Sequence, residues 1–174
     1  MTALIPYDSE ILHRSSYFYD FNDQPITAKD LANTLLLAKG SRNAYGLAAP
    51  QIGVPYCVFA FLDEVAFNPK ILEYDYEFDT KEEELFSEGC LSYPGLWIQI
   101  KRPPFVKVSY QNVDGTKVER WLGRLESRVF QHEYDHLEGI TMVDKASDLK
   151  LRRAIQQANK HGQKYTYSAL RSAA

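Results

Sequence analysis

The sequence predicts a single α+β domain spanning 1–174. Three observations carry that expectation. Strand-like apolar runs are grouped in the middle of the chain, two segments of helical apolar spacing stand on either side of them, and 174 residues at 45% hydrophobic composition suffice for one core. Taken in order, Thr27 followed by Asp30 has the form of a capping box, and Leu31, Leu35 and Ala38 then recur at helical steps up to Gly40. Strand candidates follow: YCVFAFL at 56–62, a segment near 71–78, and the runs FVKVSYQ and TKVERWL on either side of an Asp114-Gly115 turn. In YDYEFD the alternation places the acids on a wet face. Leu122, Leu125, Val129, His132 and His136 then recur at three- and four-residue steps, with Gly139 where a C-terminal cap belongs, which predicts a second helix with both histidines facing inward.

Charge and composition narrow the function. Lys and Arg number 20 against 23 acids, a net charge of −3, so the chain has no global basic field and DNA is not an expected partner. Two local stretches are lopsided. Between Glu73 and Glu88 eight acids face one lysine, which reads as a solvated strand and loop. The segment 145–174 carries seven cations against Asp148 and reads as a solvated helix able to contact RNA. No run approaches the roughly 18 apolar residues of a membrane span, and MTALIPYDSE has neither the basic start nor the apolar core of a signal peptide. The expected location is the cytoplasm, or the equivalent compartment of a host cell or organelle. Two cysteines, Cys57 and Cys90, are too few for a disulfide scaffold and point to thiol or metal chemistry.

The chemistry concentrates in His132-Glu133-Tyr134-Asp135-His136. Residues i and i+4 of a helix lie one above the other, so two imidazoles can meet one ion, with Glu133 beside it as a base. Two buried, hydrogen-bonded histidines would produce the same pattern without a metal. A catalytic ion of this type needs a third protein ligand and an open position. No third histidine follows at the spacing of the common metallopeptidases, which leaves an acid or a thiolate from elsewhere. Cys90 is flanked by Gly89, which permits close backbone approach, whereas Cys57, inside an apolar run, reads as a small buried hydrophobe. The segment 44–51 combines small residues with Gln51, whose amide can donate to a developing oxyanion; a surface position is the plainer reading of that glutamine.

GLAAPQ (46–51), EGCLS (88–92) and QHEYDH (131–136), in this order and spacing, resemble the three signature segments of the peptide deformylases across essentially the whole chain. The resemblance implies antiparallel or mixed sheets around a central helix that carries HExxH. It implies one divalent ion held by Cys90, His132 and His136, with Fe2+ native and Zn2+, Ni2+ or Co2+ as replacements. One thiolate and two neutral imidazoles leave such an ion with a net charge near +1, which suits ferrous iron or zinc. Glu133 is then the general acid/base, and Gln51 with the backbone N–H of Leu91 holds the oxyanion. Gln131 and Asp135 steady the ligand histidines. Tyr45 and Gly46, with Gly89 opposite, pair with the backbone of an N-formylmethionyl nascent peptide, and Leu125 and Val129 line its methionine pocket. The implied reaction releases formate, and the basic segment at 145–174 is the implied ribosome contact. The chain departs from the family pattern at Ala44, where the first glycine of GxGxAAxQ is usual, and at Trp97, where bacterial members often carry arginine. Two other readings stay open: a zinc endopeptidase using the same helix, and a non-enzymatic protein with a structural metal, which would need a fourth ligand from His13, His161 or Cys57.

Overall fold

The computed structural model describes residues 2–76 and 86–173. The first helix, α1 (Ala28–Gly40), begins where the capping signal places it: the Thr27 hydroxyl accepts from the Asp30 backbone N–H at 3.2 Å. Its apolar stripe, Leu31, Leu35 and Ala38, is fully or almost fully buried. Among the described residues the strands form two sheets. The larger has the order β1 (Gly46–Ala48), β2 (Val58–Phe61), β3 (Glu64–Asp75), β6 (Phe105–Gln111), β7 (Lys117–Gly123), antiparallel throughout, and the smaller pairs β4 (Ser87–Cys90) with β5 (Tyr93–Gln99).

Strand β2 shows why the central run is continuously apolar. Val58 and Ala60 face α1 in one cluster, while Phe59 and Phe61 face the second helix, α2 (Arg124–Leu137), in another. Both faces of the strand are covered, so alternation with polar residues has no wet side to serve. Phe130 of α2 meets Phe59 and Phe61 edge to face at centroid distances of 4.9 and 5.2 Å. That contact fixes the helix on the sheet; removing a buried aromatic of this kind costs about 3–5 kcal/mol.

Helix α2 ends as the glycine signal requires. Gly139 has φ +72°, and a Cβ there would come within 2.6 Å of the Arg14 backbone nitrogen, so both its conformation and its contact demand glycine. The helix starts later than its apolar spacing predicts: Leu122 belongs to β7, whose inward side chain happens to continue the helical phase. Strand β3 also begins earlier than the segment near 71–78, at Glu64, and Tyr74 and Tyr76 are exposed rather than on a dry face. Residues 77–79 of YDYEFD, with Glu77, Asp79 and three further acids of the acidic stretch, lie outside the described residues.

A third cluster packs β5 against α3 (Met142–Lys145), α4 (Asp148–Lys160) and α5 (Tyr167–Ala173), through Leu96, Ile98, Leu151, Ile155 and Leu170. Part of the tail's positive charge is spent inside this unit. Arg171 donates to the Val143 and Ala146 carbonyls and to Asp148, Lys150 donates to the Gln99 carbonyl, and the Arg152 guanidinium lies 3.8 Å from the Tyr167 ring centroid. No helix among the described residues is long and apolar enough to cross a membrane.

Candidate metal centre

The small sheet and α2 bring three metal-binding side chains together. Cys90 ends β4, His132 and His136 lie one turn apart on α2, and their donor atoms all fall within 4.8 Å of one another. The Cys90 Sγ stands 3.3 Å from His136 Nε2, and the two imidazole rings cross at 80° with centroids 5.2 Å apart. This donor set, one thiol and two imidazoles, fits a divalent ion with an open coordination position. His132 Nδ1 is bonded to Glu88 Oε2 at 3.0 Å, which turns its Nε2 toward the other two donors.

Glu88 is the residue that sequence reasoning misplaced. It sits in the acidic stretch read as solvated, yet it is 6% exposed and points inward from β4 on the same face as Cys90. Arg102 clamps it with two hydrogen bonds, one of them 2.8 Å, Arg128 adds a third at 2.8 Å, and Arg102 also reaches Asp135 at 2.8 Å. Burial alone would raise the Glu88 pKa, but the bonds from His132 and Arg102 and the guanidinium charge outweigh it and hold the carboxyl well below its ordinary range. Asp135 therefore acts on His132 at two removes, through Arg102 and Glu88, and is itself held by Lys145 at 2.9 Å. Gln131 does not bond either ligand histidine: its amide nitrogen donates to the Pro103 carbonyl at 2.9 Å and to Ser127, tying α2 to the segment before β6. The support expected from Gln131 comes from Glu88, with Arg102, Arg128 and Lys145 behind it. A carboxylate two residues before the ligand cysteine was the available signal.

Burial opposes ionisation of Cys90, but the charge of His136 and hydrogen bonds with both histidines overcome it and hold the thiol well below its usual value. Glu133 is 4% exposed, and its Oε2 has no hydrogen-bond partner among the described residues. Burial pushes its pKa up to about 7; the charges of His132 and His136 pull the other way without restoring it. Gly46 makes room for it, since a Cβ at that position would lie 2.6 Å from the Glu133 carboxyl carbon. Gln51, for which a surface position was the plainer reading, is 2% exposed: its oxygen accepts from the Ala48 N–H at 2.9 Å, and its amide nitrogen faces Ser92 Oγ at 3.1 Å and Cys90 Sγ at 3.5 Å. Leu91 opens the turn from β4 to β5, beside a register shift between Gly89 and Cys90.

A cleft of about 640 Å³ opens in front of these groups, lined among others by Tyr45, Gly46, Gly89, Leu125, Val129 and Trp97. Among the described residues, β1 and β4 are each paired on one side only, so both present an open edge to this cleft. Tyr45 is 63% and Leu125 49% exposed at its rim, and Val129 is buried at 7%.

One thiolate-type and two imidazole donors, a buried carboxylate and an open cleft are the parts that a metal-assisted hydrolysis requires. The comparisons with known proteins agree. The polypeptide deformylase family model matches residues 1–152. The peptide deformylase of Thermotoga petrophila is 43% identical over 110 residues, 60% of this chain and 63% of that one, and the Arabidopsis thaliana chloroplastic/mitochondrial peptide deformylase 1B is 32% identical over 154 residues, 83% of this chain and 54% of that one. The chain thus spans between about half and two thirds of the length of these relatives. A solved Synechococcus elongatus peptide deformylase in complex with actinonin superposes with a TM-score of 0.82 at 27% identity, covering 97% of this chain and 88% of that one. The chain belongs to the peptide deformylase family.

Proposed function

We propose that the chain removes the N-formyl group from formylmethionyl peptides, releasing formate and a free amino terminus. The observation that carries this reading is the convergence of Cys90, His132 and His136 beside a buried Glu133 whose Oε2 has no hydrogen-bond partner among the described residues, in a cleft bordered by two strand edges that are open among those residues. A divalent ion in that triad, Fe2+ by preference and Zn2+, Ni2+ or Co2+ as replacements, supplies Lewis acidity and lowers the pKa of water. Glu133, buried beside the triad, accepts a proton from the attacking water and returns it to the departing amine nitrogen. The Gln51 amide and the Leu91 N–H donate to the formyl oxygen as it gains charge, and one such donor is worth about 3 kcal/mol. Glu88 holds the His132 tautomer through the cycle.

The peptide adds as a strand between the open edges, paired with Gly46 and with Gly89, and its methionine side chain turns toward Leu125 and Val129 on α2. The substrates are nascent chains, met in the cytoplasm or an equivalent compartment. Ribosome contact falls to the exposed cations of the C-terminal segment, Arg153, Lys160 and Lys164. The experiment is formate release from formyl-Met-Ala-Ser by metal-loaded protein, run beside casein digestion. Formate without casein cleavage is expected; casein cleavage without formate would replace the reading with an endopeptidase.

A further inference from the structure

Strand β5 alternates strictly along its second half: Leu96 and Ile98 are buried in the small-sheet core, and Trp97 points the other way, 63% exposed. Trp97 is paired with Gly89 on β4, and directly opposed residues share one face of a sheet. Gly89 has no side chain to fill that face, so the indole fills it. A Cβ at position 89 would lie 3.0–3.1 Å from three carbons of the Trp97 benzo ring. The indole thus crosses over β4 toward that strand's open edge and forms part of the cleft wall.

Resting on the deformylase reading, we propose that Trp97 is a specificity-determining residue that selects a bulky apolar side chain at the substrate position immediately after formylmethionine. A peptide residue paired with Gly89 carries its side chain on the face of Gly89, where the indole lies. Alternation sends the preceding side chain, the methionine, to the opposite face, which Glu88 shows to be the one turned toward α2. The side chain after methionine therefore meets an aromatic surface across the missing Cβ of Gly89. Tyr45, equally exposed, adds a second aromatic from the large-sheet side of the same cleft.

The test compares kcat/KM for formate release from formyl-Met-Phe-Ser, formyl-Met-Ala-Ser and formyl-Met-Asp-Ser by wild type, Trp97→Ala and Trp97→Phe. The readout is the ratio between substrates, which a general loss of fold or metal leaves unchanged. Wild type is expected to favour the Phe peptide over the Ala peptide by roughly 5-fold, mostly through KM, in line with the strength of aromatic pairing. Trp97→Ala brings that ratio close to one, and Trp97→Phe retains most of it. Equal kcat/KM for the Phe and Ala peptides in wild type overturns the proposal, as does a preference that survives Trp97→Ala or a uniform loss on all three peptides. Wild type that releases formate from none of the three rejects the deformylase reading itself.

Discussion

Cys57 and Cys90 are both partly exposed thiols beside strands, and their surroundings give them opposite chemistry. The Cys57 thiol faces the Ser16 carbonyl at 3.4 Å and packs against the aromatic core between α2 and the large sheet. Burial, with the Glu138 charge nearby, pushes its pKa up to about 11, so it stays a neutral thiol. Cys90 faces His136, His132 and the Gln51 amide, and its thiolate is favoured. A metal ligand is thus made by its neighbours: two imidazoles from α2, and behind one of them a buried carboxylate from the cysteine's own strand.

The largest effect that tests this contrast is loss of the ion. Cys90→Ala is expected to emerge from gel filtration without stoichiometric metal, and Cys57→Ala with it, both read by elemental analysis; equal loss in the two would erase the distinction. Glu133→Ala sharpens it from the catalytic side. Metal content stays at the wild-type level while formate release falls by about 10²- to 10⁴-fold, the range typical of a lost general acid/base. Glu88→Gln removes the charge behind His132 and is expected to weaken metal binding by about 10- to 100-fold in a chelator competition. Asp135→Asn, one Arg102 further away, is expected to weaken it less; an equal effect would place Asp135 closer to the ion than its bonds indicate.

The smallest effect concerns Cys57. In Cys90→Ala it is the one remaining cysteine, and its raised pKa leaves less thiolate at any given pH than an ordinary thiol has. Its alkylation rate is expected to climb about ten-fold per pH unit from about pH 7 to about pH 10 without levelling, where an unperturbed thiol with a pKa of about 8.5 levels earlier. Levelling by about pH 9 would mean that burial and Glu138 do not act on it as described.

The contrast also explains what the sequence reveals. His132, Glu133 and His136 announce themselves because the helix period is a local signal, whereas Cys90 stands out as their partner only through the resemblance of EGCLS to a family segment. Capping at Thr27 and the turn at Asp114-Gly115 are local as well, and so are their elements. Glu88 is hidden because its partners, Arg102, Arg128 and His132, lie on later segments, and a carboxylate in an acidic run looks solvated until those cations close over it. Gln51 is hidden for the same reason: its burial depends on Ala48 and Ser92 folding around it. Strands β1 and β4, three and four residues long, are too short to show a period, yet their open edges shape the cleft. Leu122 misleads because a strand running directly into a helix kept the helical phase.

The most direct measurement is X-ray absorption at the metal edge of zinc-loaded protein. One sulfur scatterer at about 2.3 Å and two imidazole nitrogens at about 2.0–2.1 Å, with the sulfur lost in Cys90→Ser, is the expected first shell. A shell of nitrogen and oxygen alone in the wild-type protein would contradict the assignment of Cys90, and with it the centre described here.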